Sequence, residues 1–424
     1  MKAIAKFVAD AMDVIYRCCA GLDVHKQTVE CAVRRMEPEG RVQVEIRQFG
    51  TMTDDLLEMV EWLKAQGVTH VAMESTGVFW KPIYNILEGH LTVLLVNARH
   101  VKQVPGRKTD VRDCQWLAQL LQYGLLKGSF IPPRWQRDLR DLTRERTQLV
   151  DEQTRVANRV HKILEDANIK LGSVATDILG VSGRDILERL IAGEEDTGKL
   201  AERARGKLRS KIPELRRALR GHLSEHHRFA LRLQLDHLER LEKLLERLNQ
   251  RIAELCKPYR PQIEQLDQIP GIDQAGAESI VAEVGVDMQV FPTEGHLCSW
   301  AGICSGNNES AGKRRSGRIP KGNRWLRRTL VLAAQSASHA KDSFLASRLR
   351  RLAARRGKKR ACVAVAHSIL KIVYHLLKHG CPYRDLGGSY FDRLDPERLT
   401  RYLVRRLERL GHKVTLEPVA TAQN

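Results

Sequence analysis

Two groups of residues in this 424-residue chain have the types and spacing to act on a phosphodiester. The first is the run Glu309-Ser310-Ala311-Gly312-Lys313-Arg314-Arg315-Ser316-Gly317-Arg318-Ile319-Pro320-Lys321-Gly322-Asn323-Arg324. A hydroxyl sits between an acid and a glycine-loosened turn, and cations follow at close spacing. Serine is a weak nucleophile at neutral pH unless a partner activates it. Attack on phosphate also needs cations over the developing charge, and this run offers them. The alternative is a flexible basic loop that only touches phosphates. Spacing alone leaves both open.

The second group is four carboxylates: Asp23, Glu74, Asp110 and Asp113. Four acids brought together repel one another and need cations. Two divalent ions about 3.5–4 Å apart would relieve the repulsion and clamp the attacking and leaving oxygens of a phosphodiester. Oxygen donors of this kind suit Mg²⁺ or Mn²⁺. Taken singly, each acid could be a cap, a turn residue or a surface charge. The set gains force from the elements that carry it. Cys18 to Val24 is an apolar run that ends in Asp23, which reads as a buried strand. Val29–Arg34 and Val42–Phe49 alternate as further strands, with Glu37-Pro38-Glu39-Gly40 as a turn between them. A helix over Asp54–Gln66, capped by Thr53, stops at Gly67. His70–Met73 is a strand ending at Glu74, and Leu91–Val96 is a fifth. A helix opening at Thr109 and running to about Tyr123 would put Asp110 and Asp113 on one face. Three meandering strands followed by alternating helix and strand predict an α/β layer fold.

Charge narrows the partner. Lys and Arg number 71 against 51 acids, a net +20 with pI near 9.7. From Lys313 to Arg360 there are 17 Lys or Arg and one acid, so most of the excess lies in 48 residues. That density points to a polyanion, most often nucleic acid. Nine scattered cysteines form no C-x-x-C pair, so neither a zinc site nor a disulfide framework is expected. No signal pattern or membrane-length apolar run is evident, so a soluble, cytoplasmic protein with no membrane partner is expected.

Past Leu139 the pattern turns helical. Leu139, Leu142, Leu149, Val156, Val160 and Ile163 follow heptad steps, and Leu238, Leu241, Leu245, Leu248, Ile252 and Leu255 do so more cleanly. Coiled-coil dimerisation and a hairpin packed on itself both fit. Residues 168–222 read as shorter helices broken at Gly172, Gly180 and Gly193. Ile269-Pro270-Gly271-Ile272 before Ala275–Val284 looks like a helix-hairpin-helix element whose glycine lets backbone N–H groups approach a phosphate. Helices are expected over Arg324–His339 with Asn323 as cap, Phe344–Arg355, Ala361–His379 and Pro396–Leu410, with disorder after Glu417. The resulting domains are 1–134, 135–260, 261–384 and a tail at 385–424.

As a set, these motifs resemble a known family. Gly21-Leu22-Asp23-Val24-His25-Lys26, Glu74-Ser75-Thr76-Gly77 and Gly106-Arg107-Lys108-Thr109-Asp110-Val111-Arg112-Asp113 resemble the RuvC-like domain of the DEDD transposases. That is the IS-one-ten insertion-sequence family, related to the Piv-type DNA invertases. Ile269-Pro270-Gly271, Trp300-Ala301-Gly302, Glu309-Ser310-Ala311-Gly312 and Lys321-Gly322-Asn323 resemble the family's second domain. Val96-Asn97-Ala98-Arg99-His100 and the tail from Tyr383 look like its IS-eleven-eleven subgroup. The resemblance implies an RNase H-like N-terminal domain with a metal site at Asp23, Glu74, Asp110 and Asp113. It implies that Ser310 attacks DNA and forms a phosphoserine link, with Ser316 as alternative in a shifted register. It also implies excision and insertion of donor and target duplexes, guided by a structured noncoding RNA, by homodimers that pair into tetramers in a bacterial, nucleoid-associated setting. Lys108, Lys313, Arg314, Arg315, Arg318, Lys321, Arg324, Arg327 and Arg328 are the expected nucleic-acid contacts. The competing expectation is an RNA-independent DNA invertase or RuvC-type structure-specific endonuclease on the same fold.

Overall fold

The computed structural model describes residues 14–75, 77–97, 101, 112–306, 308–310 and 313–417, in two compact units that divide between Ile131 and Pro132. The first unit is built on a five-stranded sheet. Its strands are β1 (Cys18–Val24), β2 (Thr28–Met36), β3 (Val42–Gly50), β4 (His70–Glu74) and β5 (Thr92–Val96), in the order β3-β2-β1-β4-β5. The first three form an antiparallel meander, and β4 and β5 continue it in parallel on the far side of β1.

Alternation along β1 sorts its side chains between two layers. Ala20 and Leu22 face α1 (Thr53–Ala65) and α2 (Trp80–Leu87), where Leu56, Met59, Leu63, Ile83 and Leu87 complete the core. Cys19 faces α3 (Asp113–Gln122), which buries Trp116, Leu117, Leu120 and Leu121 against it. Three expectations need correction here. Thr53 is the first residue of α1, Met52 holds the cap position, and no side chain caps the helix. α2 was not anticipated. The helix expected from Thr109 begins at Asp113, because Arg112 is extended at φ −61°, ψ 149°.

In the second unit α4 (Arg134–Asp166) and α9 (Glu225–Cys256) pack along each other. Leu139 shares a core with Ile252, and Val156 with Leu238 and Leu241, so the pair is antiparallel and the two heptad seams meet within the chain. At its far end sits a small helical core from α5 (Leu171–Val174), α6 (Val181–Ile191), α7 (Thr197–Ala201) and α8 (Ile212–Ala218). Gly172 does not break a helix but lies within α5.

At its near end is a larger helical core. It comprises α10 (Arg260–Asp267), α11 (Gln274–Val284), α12 (Glu294–Ala301), α13 (Arg324–Ala337), α14 (Phe344–Arg356) and α15 (Lys358–His379). α15 is long and apolar enough to cross a bilayer, yet Val365, Ala366, Ile369, Leu370 and Val373 are fully buried in this core. α16 (Tyr390–Leu394) and α17 (Pro396–Arg409) follow, and α17 buries none of its side chains. Residues 1–13 and the residues after Glu417, where disorder was expected, lie outside the described residues. The N-terminal mixed α/β layer and the mostly helical remainder agree with the fold class expected from the sequence.

Candidate functional site

Asp23 lies near the end of β1, on the sheet face that carries α3. Leu22 pairs with Met73 in parallel β4, so Glu74 stands one step on, beside Asp23 at the same sheet edge. Side-chain alternation puts Glu74 on the same face as Ala72, which also packs against α3. Asp113 opens α3 and is exposed. What brings that helix start to the strand end is Gly21. A Cβ there would lie 2.1 Å from the Cys114 carbonyl oxygen and 2.5 Å from the Ala118 nitrogen. Only a bare α-carbon allows the helix this close.

The electrostatics of Asp23 follow from this placement. Burial pushes its carboxyl above the usual range; Asp113 and Glu30 push the same way, and His25 opposes them. His25 Nε2 is 3.3 Å from Asp23 Oδ2. Glu30 was missed in the sequence. It is the antiparallel partner of Asp23 across β1 and β2. Arg112 Nη1 lies 3.5 Å from its Oε1, and the Cys114 thiol lies 3.9 Å from its Oε2. Folding the two strands across the His25–Gln27 turn pairs 23 with 30, a signal present in the sequence. Cys114 and Cys19 are kept protonated, with burial raising their pKa values to about 11 and about 12.

The donor chemistry fits a hard divalent ion. All the predicted ligands are carboxylates. Asp23, as folded, resists ionising, a cost that a cation would offset. Among the described residues no three His, Cys, Asp or Glu side chains converge to hold an ion. Asp110, the predicted fourth acid, and Lys108 lie outside the described residues.

In the second unit the predicted loop is a hairpin. β6 (Asn308–Ser310) and β7 (Lys313–Ser316) pair antiparallel, Ser310 with Lys313 and Glu309 with Arg314. Within this hairpin, Ala311 and Gly312 lie outside the described residues. Its legs leave the core together. A Cβ on Gly302 would meet the Gly322 nitrogen at 2.6 Å, and one on Gly306 would meet the Arg318 carbonyl oxygen at 2.3 Å. Arg318, Lys321 and Arg324 are exposed, and Arg327 is half-buried. Arg324 lies 4.6 Å over the Trp325 ring. Arg328 is committed to a two-pronged pair with Asp151, with Nη1 2.5 Å from Oδ2. Gly271 differs from its expected role. Its φ is +91°, and a Cβ there would lie 2.2 Å from the Ala333 carbonyl oxygen, so its bare side faces α13.

Comparison with known proteins accounts for both parts. Residues 20–169 match the DEDD transposase model of the IS110 type, described as "Transposase". Residues 263–348 match "Transposase IS116/IS110/IS902 family". A Sinorhizobium fredii protein named "Putative transposase y4pF/y4sB" is 23% identical over 342 residues, covering 78% of this chain and 79% of its own length. The two site-bearing parts are thus those of a DEDD-type transposase. The chain belongs to the IS110 family of transposases. That membership implies a DNA-cleaving and recombining enzyme with DNA substrates, in a family that is in general divalent-metal dependent.

Proposed function

We propose that this protein is an RNA-guided DNA recombinase that uses a carboxylate-held metal site in an RNase H-like domain and Ser310 as nucleophile. The observation that carries this reading is the end of the sheet where Asp23 on β1 and Glu74 on β4 lie on neighbouring strands, and where a helix seated on Gly21 starts at Asp113. A meander continued by two parallel strands, with acids at the ends of β1 and β4, is what a RuvC-like resemblance calls for. Asp23, Glu74 and Asp113, with Asp110, would hold the ions. Bound Mg²⁺ or Mn²⁺ would supply charge compensation at the attacking and leaving oxygens.

Ser310 Oγ then bonds to phosphorus as one phosphorus–deoxyribose oxygen bond breaks. The serine proton leaves to a base, and the departing oxygen gains a proton. Transfer to a new strand reverses these steps. Lys313, Arg314, Arg315, Arg318 and Lys321 lie in or beside the hairpin, at sequence positions suited to phosphate contact. A guide RNA would supply sequence selection by base pairing while the protein reads backbone and shape. Exposed Phe229, Leu233 and Leu244 on α9 are available for homodimers that pair into tetramers. The domain assignment expected above, and work in the bacterial cytoplasm at the nucleoid, belong to the same reading.

Covalent capture tests it. The protein is co-expressed with its native flanking DNA, mixed with labelled target and donor duplexes and Mg²⁺, and run on a denaturing gel. The expected result is a protein–DNA adduct that disappears in Ser310→Ala, in Asp23→Ala, and after RNase treatment before assembly. Cleavage without an adduct, indifferent to Ser310→Ala, would instead mean a RuvC-type nuclease. An adduct that survives RNase would mean an RNA-independent invertase.

A further inference from the structure

Glu283 closes α11 with its side chain only 2% exposed. A buried carboxylate needs partners for each oxygen, and three side chains supply them. Arg144 donates Nε to Oε1 at 2.7 Å and Nη2 to Oε2 at 2.9 Å. Arg140, one turn earlier on α4, places Nε 3.2 Å from Oε2 and donates Nη2 to the Glu283 carbonyl at 2.6 Å. Gln136 donates to the Ala282 carbonyl at 3.1 Å, so three successive turns of α4 grip the end of α11. The remaining partner comes from elsewhere in sequence: Asn323 donates Nδ2 to Oε2 at 2.6 Å.

Asn323 holds two positions at once. Its Oδ1 accepts from the Trp325 and Leu326 amides at 3.0 and 3.2 Å, capping α13. It also follows Gly322, where a Cβ would lie 2.4 Å from the Gly302 nitrogen. The two legs of the Ser310 hairpin therefore meet at one root, and one buried carboxylate ties that root to α4. α4 is the helix the chain enters directly after the first unit ends. A nucleophile displaced by about 1 Å loses much of its advantage, so the hairpin needs a fixed base.

We infer that Glu283 is a positioning residue: through Asn323 it fixes the root of the Ser310 hairpin against α4 without itself touching nucleic acid. Its consequence for strand cleavage rests on the reading of Ser310 given above. The physical coupling does not.

The test uses full-length Asn323→Ser. Serine keeps a good cap for α13 but has no donor that reaches Glu283. Glu283→Gln is the second variant; it keeps the shape and removes the charge that both arginines require. Amide hydrogen exchange across residues 303–322 is measured beside thermal midpoint, DNA binding and adduct yield. In Asn323→Ser we expect about tenfold faster exchange confined to that segment, with the midpoint and binding unchanged. Adduct yield should fall about tenfold in both variants. Exchange within twofold of wild type in Asn323→Ser overturns the inference. Faster exchange with undiminished adduct also overturns it, because the root would then not matter to the reaction. A wild-type protein that forms no adduct sinks the Ser310 reading instead and leaves exchange to decide this one.

Discussion

The sheet edge at Asp23 and the hairpin root at Glu283 both hold a carboxylate, but they treat its charge in opposite ways. Asp23 sits near Asp113 and Glu30, with the exposed His25 as counterweight, and its ionised form is disfavoured. Glu283 is more deeply buried, yet both of its oxygens are engaged by Arg140, Arg144 and Asn323. The first arrangement is electrostatically incomplete and gains from a cation. The second is complete and holds a shape. Burial alone therefore does not mark a reactive acid; the balance of its neighbours does.

The comparison breaks most directly at Glu283. Glu283→Ala leaves Arg140 and Arg144 half-buried without their anion, and burial already pulls the Arg140 pKa down. Removing one partner of such a network costs about 3–5 kcal/mol, read as a drop in urea midpoint. A loss under about 1 kcal/mol would mean water replaces the carboxylate, and the root is not a closed network. Next comes Gly21→Val, which drives a side chain into the Cys114 carbonyl. A loss of about 1–3 kcal/mol is expected, and it should fall on the first unit, with faster amide exchange in β1 and α3. Unchanged exchange there would separate α3 from the strand that carries Asp23.

Asp23→Asn should act in the other direction. Because the folded carboxyl is raised, the native state holds its proton more tightly than the unfolded chain. Its contribution is greatest at low pH and is lost as pH rises from the ordinary carboxylate range, near ~3.9, through the folded value. The asparagine variant should therefore be slightly more stable than wild type at pH 7 without divalent ions. The gain should be under ~1 kcal/mol, because the Asp23 side chain is 30% exposed and solvent screens it. Added Mg²⁺ should raise the melting temperature of wild type and not of the variant. A variant less stable than wild type in metal-free buffer would remove the contrast between the two carboxylates.

The sheet and its acid-bearing ends were legible because apolar alternation and turn chemistry are local signals. The same locality hid the rest. Glu30 gains meaning only from cross-strand register, and Glu283 only from Arg140, Arg144 and Asn323, at least 40 positions away in either direction. The heptad seams were visible, but two seams in one chain satisfy either a partner subunit or each other. That Leu139 shares a core with Ile252 of the same chain is not written in the period. Gly271 shows a different limit. A P-G turn before a helix reads alike whether the bare face meets a phosphate or, as here, the backbone of α13.

A third carboxylate, Asp385, extends the comparison. It joins the tail to the start of α14. Its Oδ1 accepts from the Phe344 and Gly387 amides at 2.8 and 2.7 Å, and its Oδ2 from the Ser343 and Tyr383 hydroxyls at 3.1 and 3.0 Å. Ser343 in turn caps α14 by accepting from the Leu345 amide. Burial pushes the Asp385 carboxyl up, but these four donors outweigh it and leave the carboxyl below its usual range. The sign is thus opposite to Asp23: the contribution is present above the ordinary carboxylate pKa and is lost as pH falls through the lower, folded value. Asp385→Asn keeps one acceptor oxygen and turns the other into a donor facing two hydroxyls. A loss of about 1 kcal/mol at pH 7 is expected, the usual cost of a helix cap, shrinking toward zero in acid. Paired with Asp23→Asn in one acid titration of stability, the two variants should diverge from wild type in opposite directions at neutral pH and converge on it below about pH 4. If both shift the same way, net charge rather than each carboxylate's own neighbours governs these sites.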